Sequence, residues 1–351
     1  MNLKIVHRYL SLVFAALWLF QAVTGCLVVF RWELDDARVA GRSQPFDAEA
    51  LGARLDLLSS QAGTTVSSMW SSGAKADRFD ISYSLNGKDH SLRVDGAGHD
   101  LRDIDHTTIF DKLSDLHMAL MRGDLGRWFL GFSGLLLLTN LALGLKLAWP
   151  RPGMWLKALR TPHTTAAPAV FYGWHRMLGL WLVVPALVTI SAGVQLAYDD
   201  PIESTFKVEV PTPVKAKAFT GPIIKPSVAL KAAMNAYPGS SLSGFSFADS
   251  ETPWYKARLR APGEMPRIWG MTTVFVGAQT GEVLSRYDAR AVHAPARFLL
   301  DVLYPLHTGQ IAGVFGRMVQ LLIGLWLIAM IGLGLGLWWV RRAMALRKTR
   351  V

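Results

Sequence analysis

Apolar residues gather in four long runs, at approximately 9–30, 128–149, 177–198 and 318–340, separated by stretches where polar and apolar positions mix. About 20 residues at 1.5 Å rise cross the roughly 30 Å hydrocarbon core of a bilayer, so each run predicts a membrane-spanning helix. The two long intervening stretches, 31–127 and 199–317, carry the shorter periods of small α+β modules. In the first, Asp47–Ser60 has helical spacing of Leu and Ala behind an Asp cap. Alternating runs follow at Arg78–Leu85 and His90–Val94, joined by Asn86-Gly87, a strong hairpin signal. The second stretch opens with a Pro-rich crossing from Pro211 to Pro226 and continues with a helix at Ser227–Ala236. Strands are expected at Tyr255–Arg260, Thr272–Val276 and Val283–Tyr287, with Gln279-Thr280-Gly281 turning between the last two.

Basic residues orient the spans. Lys4 and Arg8 precede the first; Arg151, Lys157 and Arg160 follow the second; Arg341, Arg342, Arg347 and Lys348 follow the fourth. The positive-inside tendency puts both termini and the 150–172 loop in the cytoplasm, as a multi-pass protein of a bacterial inner membrane would have them. The long stretches then face outward. Lys and Arg exceed Asp and Glu by 37 to 26 over 351 residues, and the mean hydropathy is +0.26. These values suit spans plus sizeable soluble segments. The basic clusters adjoin apolar runs, and no phosphate loop or zinc-finger spacing appears, so nucleic acid is not an expected partner; the lipid bilayer is. The single cysteine, Cys26, excludes disulfide and thiolate-cluster frameworks. Val23-Thr24-Gly25-Cys26 resembles a lipoprotein cleavage box, but the apolar run continues through Phe30, and an uncleaved span is expected.

The chain repeats itself. A shift of 168 carries His7, Arg8, Leu10, Leu12 and Gly25 onto His175, Arg176, Leu178, Leu180 and Gly193. A shift of 190 carries Leu116-His117, Gly123, Gly126-Arg127, Gly144, Trp149 and Arg151 onto Leu306-His307, Gly313, Gly316-Arg317, Gly334, Trp339 and Arg341. The expected fold is a membrane all-α bundle of four transmembrane helices in two parallel repeats, with two extracytoplasmic α+β insertions. The first half divides into a transmembrane helix at 1–31, an outer domain at 32–112 and a second helix with its lead-in at 113–150. After a cytoplasmic loop at 151–172 come a helix at 173–199, an outer domain at 200–300, a helix with lead-in at 301–342 and a tail at 343–351. Because both halves start inside, a pseudo-two-fold axis along the membrane normal relates them.

That axis puts His7 and His175 together near the cytoplasmic face, and His117 and His307 together near the outer face. Two imidazoles facing across a bundle can ligate a haem iron from both sides, an arrangement that favours electron transfer. Arg8 and Arg176, with Arg127 and Arg317 at the outer side, are candidate partners of haem propionates. Gly25, Gly126, Gly193 and Gly316 would let a flat macrocycle or a neighbouring helix approach the backbone. Two plainer readings stand beside this one: solvated interfacial histidines, and arginines that only anchor helix ends. Zinc or copper is a third, although the spans offer no carboxylate or second cysteine to complete a tetrahedral site. His90, His99, His106, His163 and His293 have no repeat partner and read as surface or loop residues. Trp254, Tyr255, Trp269, Arg258 and Arg260 offer either a substrate surface or a plain sheet with a charged face.

The repeated residues resemble the PepSY-associated transmembrane family, and within it the inner-membrane ferric-siderophore reductases. The carriers are His7-Arg8 with Thr24-Gly25, Leu116-His117 with Gly123 and Gly126-Arg127, Trp174-His175-Arg176, and Leu306-His307 with Gly313 and Gly316-Arg317. Segments 47–104 and 226–288 resemble PepSY modules. The resemblance implies b-type haem, two of them here, held by His7, His117, His175 and His307. It implies electron transfer across the membrane to a ferric siderophore or other ferric chelate, releasing Fe(II), with no catalytic side chain beyond the haem. Some relatives carry a fused flavin reductase domain; here the expected donor is a separate cytoplasmic flavin reductase or a membrane quinol. A haem-free PepSY protein that regulates a periplasmic peptidase or partner, and a permease component of iron uptake, are the alternatives.

Overall fold

The computed structural model describes residues 2–39, 43–73, 75–104, 108–163, 165–207, 211–212, 221–249, 251–291, 295 and 298–348. His106, His293 and part of the Pro-rich crossing lie outside the described residues. The chain divides into a helical unit (1–29, 110–202, 303–351) and a sheet unit (30–109, 203–302).

Four helices of the first unit are long and apolar enough to cross a membrane: Leu3–Val28, Gly123–Ala148, Ala167–Ala197 and the stretch Gln310–Arg347. They start earlier than the apolar runs, because the polar His-Arg turns at 7–8 and 175–176 are themselves helical. A backbone that enters lipid must satisfy its own hydrogen bonds, and helix is the way to do so. The first and third spanning helices each pack against the second and the fourth, which leaves first and third on one diagonal of the bundle. The first helix runs unbroken through Cys26, whose half-buried sulfur sits against Gly324 of the fourth.

Two short lead-in helices, Ile109–Ala119 and Leu303–Thr308, precede the second and fourth spanning helices. Each ends in a sharp reversal. Leu120, Met121 and Gly123 have φ of 50°, 56° and 56°, and Gly309 and Gly313 have φ of 78° and 59°. A Cβ on Gly126 would strike the Ala119 carbonyl, and one on Gly316 the Gly309 carbonyl. These two glycines therefore admit the folded-back lead-in backbone rather than a macrocycle. Beyond the second helix, a one-turn helix at Trp155–Ala158 sits in the connecting loop.

In the sheet unit the two outer stretches form one body, not the two separate domains expected. Strands β1 (Thr64–Ser71), β2 (Arg78–Leu85), β3 (Lys88–Asp95) and β4 (Asp100–Asp103) come from the first. Strands β5 (Ser241–Ser246), β6 (Trp254–Arg260), β7 (Thr272–Gly277) and β8 (Val283–Tyr287) come from the second. All eight join in the order β4-β3-β2-β1-β5-β6-β7-β8, antiparallel throughout. The seam is the β1–β5 pair, where Met69 faces Phe245 and Trp70 faces Gly244. Helices Ala48–Ser60 and Pro226–Ala236 pack together and cover one sheet face, enclosing Leu51, Leu55, Met69, Phe79, Ile81, Leu230, Phe245 and Val274. Asp56 of the first accepts from the Ser227 N–H (2.9 Å) and hydroxyl (2.6 Å), capping the second. The Asn86-Gly87 hairpin has φ of 52° and 79°, the type I′ geometry its sequence predicts. A further short helix, Arg31–Asp36, lies on the other face, with Asp36 on Arg78 (2.7 Å) and Asp35 on Arg93 (3.0 Å).

Candidate functional site

The four repeated histidines meet in two pairs within the helical unit. His7 and His175, from diagonally opposed spanning helices, have ring centroids 6.3 Å apart at an interplanar angle of 63°. His117 and His307, from the two lead-in helices, are 6.4 Å apart at 26°. The backbone reversals at 120–123 and 309–313 are what bring the second pair back onto the bundle.

Each imidazole rests on a glycine of a neighbouring helix. The Cε1 of His117 lies 3.0 Å from where a Cβ on Gly25 would stand, and that of His307 lies 2.7 Å from a Cβ on Gly193. The corresponding distances are 3.1 Å for His7 on Gly144 and 3.5 Å for His175 on Gly334. A bare glycine also exposes the carbonyl four residues earlier, which has a second lone pair beyond its helical bond. The rings use it. His7 Nδ1–H donates to the Asn140 carbonyl (3.1 Å) and His307 Nδ1–H to the Thr189 carbonyl (2.9 Å). His117 Nδ1–H donates to the Thr24 hydroxyl (3.1 Å), whose own proton goes to Phe20 O (2.9 Å), with the Gln21 carbonyl beside the same ring. His175 Nδ1 lies by the Met330 carbonyl, the equivalent position, without closing a hydrogen bond. A proton on Nδ1 leaves the Nε2 lone pair available, the tautomer a metal ligand needs.

The arginines divide. Arg8 is exposed, its guanidinium 5.1 Å from the Tyr9 ring, and Arg176 Nε donates to the Ala148 carbonyl (3.2 Å). Arg127 is already engaged by Asp124 (3.1 Å), Asp199 (2.9 Å) and Asp200 (2.7 Å). Arg317 is buried and donates through Nε (3.1 Å) to the Val29 carbonyl at the end of the first spanning helix. Both tie the start of one spanning helix to the end of another, where carbonyls and carboxylates supply negative charge. Among the remaining histidines, His163 is exposed, His99 pairs with Asp95 (3.2 Å) and His90 stacks on Tyr83 (5.5 Å). They take no part in either pair.

Two nitrogens each about 2 Å from a shared metal put imidazole centroids roughly 6 Å apart, which both pairs match. Among the described residues no three of His, Cys, Asp and Glu cluster to hold a metal ion, which disfavours a tetrahedral zinc or copper site. The donor set suits a group that needs one nitrogen above and one below its plane. The family model for the PepSY-associated TM region matches residues 5–341. The chain belongs to that family. In this PepSY-associated TM protein the matched stretch includes all four histidines, their four glycines and both lead-in helices. No curated protein matches it. The glycines at 144 and 334 were visible only as members of the repeat; their role follows from the ring contacts. Thr24 entered the sequence reading only beside Gly25 among the residues of the family resemblance, and Asn140 had no signal beyond being polar inside an apolar run.

Proposed function

We propose that this protein is a haem-bearing oxidoreductase of the inner membrane. In this reading it passes electrons across the bilayer to ferric iron held in an oxygen chelate such as a siderophore, releasing Fe(II). The observation that carries it is the pair of facing imidazole couples with centroids 6.3 and 6.4 Å apart, each ring backed by a glycine. When bound, haem b would supply one-electron redox chemistry suited to electron transfer. His7 and His175 would hold one, His117 and His307 the other. The protein's own part is orientation. Carbonyl and hydroxyl acceptors fix the Nδ1–H tautomer of His7, His117 and His307 and raise their basicity, and the glycines set how close each ring approaches its helix. Arg8 and Arg176 are the cations available to propionates beside the first pair. Arg127 and Arg317 serve in this reading as ties between helix ends.

Reduction is the release step because hard oxygen ligands that hold Fe(III) tightly hold Fe(II) weakly, so no side-chain acid or nucleophile is required. The proposal includes two parallel repeats about an axis along the membrane normal, cytoplasmic termini, and a separate flavin reductase or a membrane quinol as donor. His7 and Gly25 are 18 residues apart on one helix, about 27 Å, so the two couples stand near opposite ends of the bundle. Between them Phe14 and Trp18 stack (5.4 Å), and Trp18 donates to Ser133 (3.1 Å). The test is single-turnover oxidation. Protein reduced with dithionite and desalted is mixed with a ferric chelate and an Fe(II)-trapping dye. The proposal expects reoxidation of the protein matched by trapped Fe(II); reduced protein that persists in the presence of chelate contradicts it.

A further inference from the structure

A polar side chain within an apolar span is costly unless its donors and acceptors are used. Gln320, in the fourth spanning helix, is half-buried and uses both ends of its amide. Its Nε2 donates to the Leu306 carbonyl (2.9 Å), one residue before His307 in the second lead-in helix. Its Oε1 accepts from the Thr189 hydroxyl (3.1 Å) of the third spanning helix. Thr189 is also the residue whose carbonyl accepts from His307 Nδ1–H (2.9 Å). One amide thus closes a circuit of hydrogen bonds through three helices, and His307 is a member of it.

The first half of the chain has no such circuit. The shift of 190 puts Leu130 where the second half has Gln320, and the shift of 168 puts Gln21 and Thr24 where it has Thr189 and Ala192. Leu130 can neither donate nor accept through its side chain, and Gln21 Nε2 finds no partner among the described residues. The Leu116 carbonyl, the counterpart of Leu306, accepts from the Leu120 N–H (3.2 Å) within its own turn. The second lead-in helix instead reverses at Gly309 (φ 78°), whose N–H makes a longer bond to the Leu306 carbonyl (3.3 Å). A lone pair there remains for Gln320. The two rings of the outer couple are therefore held unequally. His117 has the Thr24 hydroxyl (3.1 Å), which can turn, and His307 has a helix carbonyl, which cannot.

We propose that Gln320 is a positioning residue for the outer histidine couple, locking His307 with its Nδ1–H on the Thr189 carbonyl and its Nε2 lone pair free for a metal. Resting on the haem reading for the metal, this makes His307 the better fixed and more basic ligand of that couple. The amide is neutral, so it sets the ring's place without adding charge to the site.

Nitrogen-15 NMR of the full-length protein labelled at histidine reports the tautomer of each ring, and His307→Ala assigns the signal. The tautomer is read on protein made without haem, so its outcome is separate from that of the haem reading. His307 should hold the Nδ1–H form, and Gln320→Leu should turn it into a mixture of both forms while His7 keeps its own. Thr189→Val, which removes the hydroxyl and keeps the carbonyl, should act in the same direction. Added to Gln320→Leu it should change nothing more, because both cut one circuit. Should Gln320→Leu lower the yield of folded protein, Thr189→Val carries the test. Thr139→Val, at an exposed hydroxyl bonded to the Leu135 carbonyl of its own helix (2.9 Å), should leave His307 as it is. In haem-loaded protein, Gln320→Leu should raise the midpoint potential of the component that His307→Ala removes and leave the other in place, since a less basic ligand favours the reduced iron. An Nε2–H form of His307 in the unaltered protein overturns the proposal, as does a tautomer unmoved by Gln320→Leu and Thr189→Val. Equal shifts of His7 and His307, or of both spectral components, also overturn it and assign Gln320 to bundle packing alone.

Discussion

Glycine decides where each histidine can stand. At Gly193 an added Cβ would lie 2.7 Å from His307 Cε1, closer than real carbon atoms approach, whereas at Gly334 it would lie 3.5 Å from His175, an ordinary contact. Overpacking of this kind costs typically about 1–3 kcal/mol, taken up either by displacing the ring or by parting the helices. Haem retention in alanine variants should therefore fall in a graded order. Gly193→Ala should lose most, Gly25→Ala and Gly144→Ala (3.0 and 3.1 Å) less, and Gly334→Ala little. Haem-to-protein ratios after purification check this; equal retention across the four would dissociate the glycines from ligand placement. The histidines themselves were legible because the repeat singles out four of nine. The carbonyl acceptors at Asn140 and Thr189 were not, since a backbone carbonyl has no letter in the sequence and becomes an acceptor only when a ring reaches across from another helix.

At the scale of elements, the helices and the NG hairpin were legible from period and capping, and the seam strands were not. β1 (TTVSSMWS) and β5 (SLSGFS) are rich in serine, and Gly244 breaks the alternation, so neither reads as a strand by composition. They are strands because each has a partner: Trp70 covers Gly244 across the seam and supplies the apolar surface the glycine lacks. A single-module reading of each outer stretch misses this pairing, which exists only between the stretches. The end of β3 yields a stability prediction. Burial alone would raise the Asp95 carboxyl, but hydrogen bonds from His99, Gln44 and Ala97 outweigh it and hold the group below its ordinary value. A carboxylate depressed in the folded state stabilises above its unfolded value, near about 3.9, and loses that contribution as pH falls through the folded one. The sheet unit should thus unfold at lower temperature below about pH 4. Asp95→Asn should lower stability at neutral pH and flatten the acid limb. An unchanged acid limb would place the titration elsewhere.

For the whole molecule, four helices long and apolar enough to cross a membrane and the family are established, and the proposed direction of the spans rests on Lys and Arg. A reporter active only in the cytoplasm should be active when fused after Val351 and within the 151–163 loop. A reporter active only outside should be active when inserted at the exposed Asn86-Gly87 turn. The reverse pattern would invert the proposed direction of electron flow. The central claim concerns the two histidine couples, and absorbance addresses it most directly. Full-length protein expressed with ample haem, purified in mild detergent and reduced with dithionite should show a sharp b-type α-band with two haems per chain. His175→Ala and His307→Ala should each remove one spectral component. A colourless protein, or spectra unchanged by both substitutions, would contradict the account.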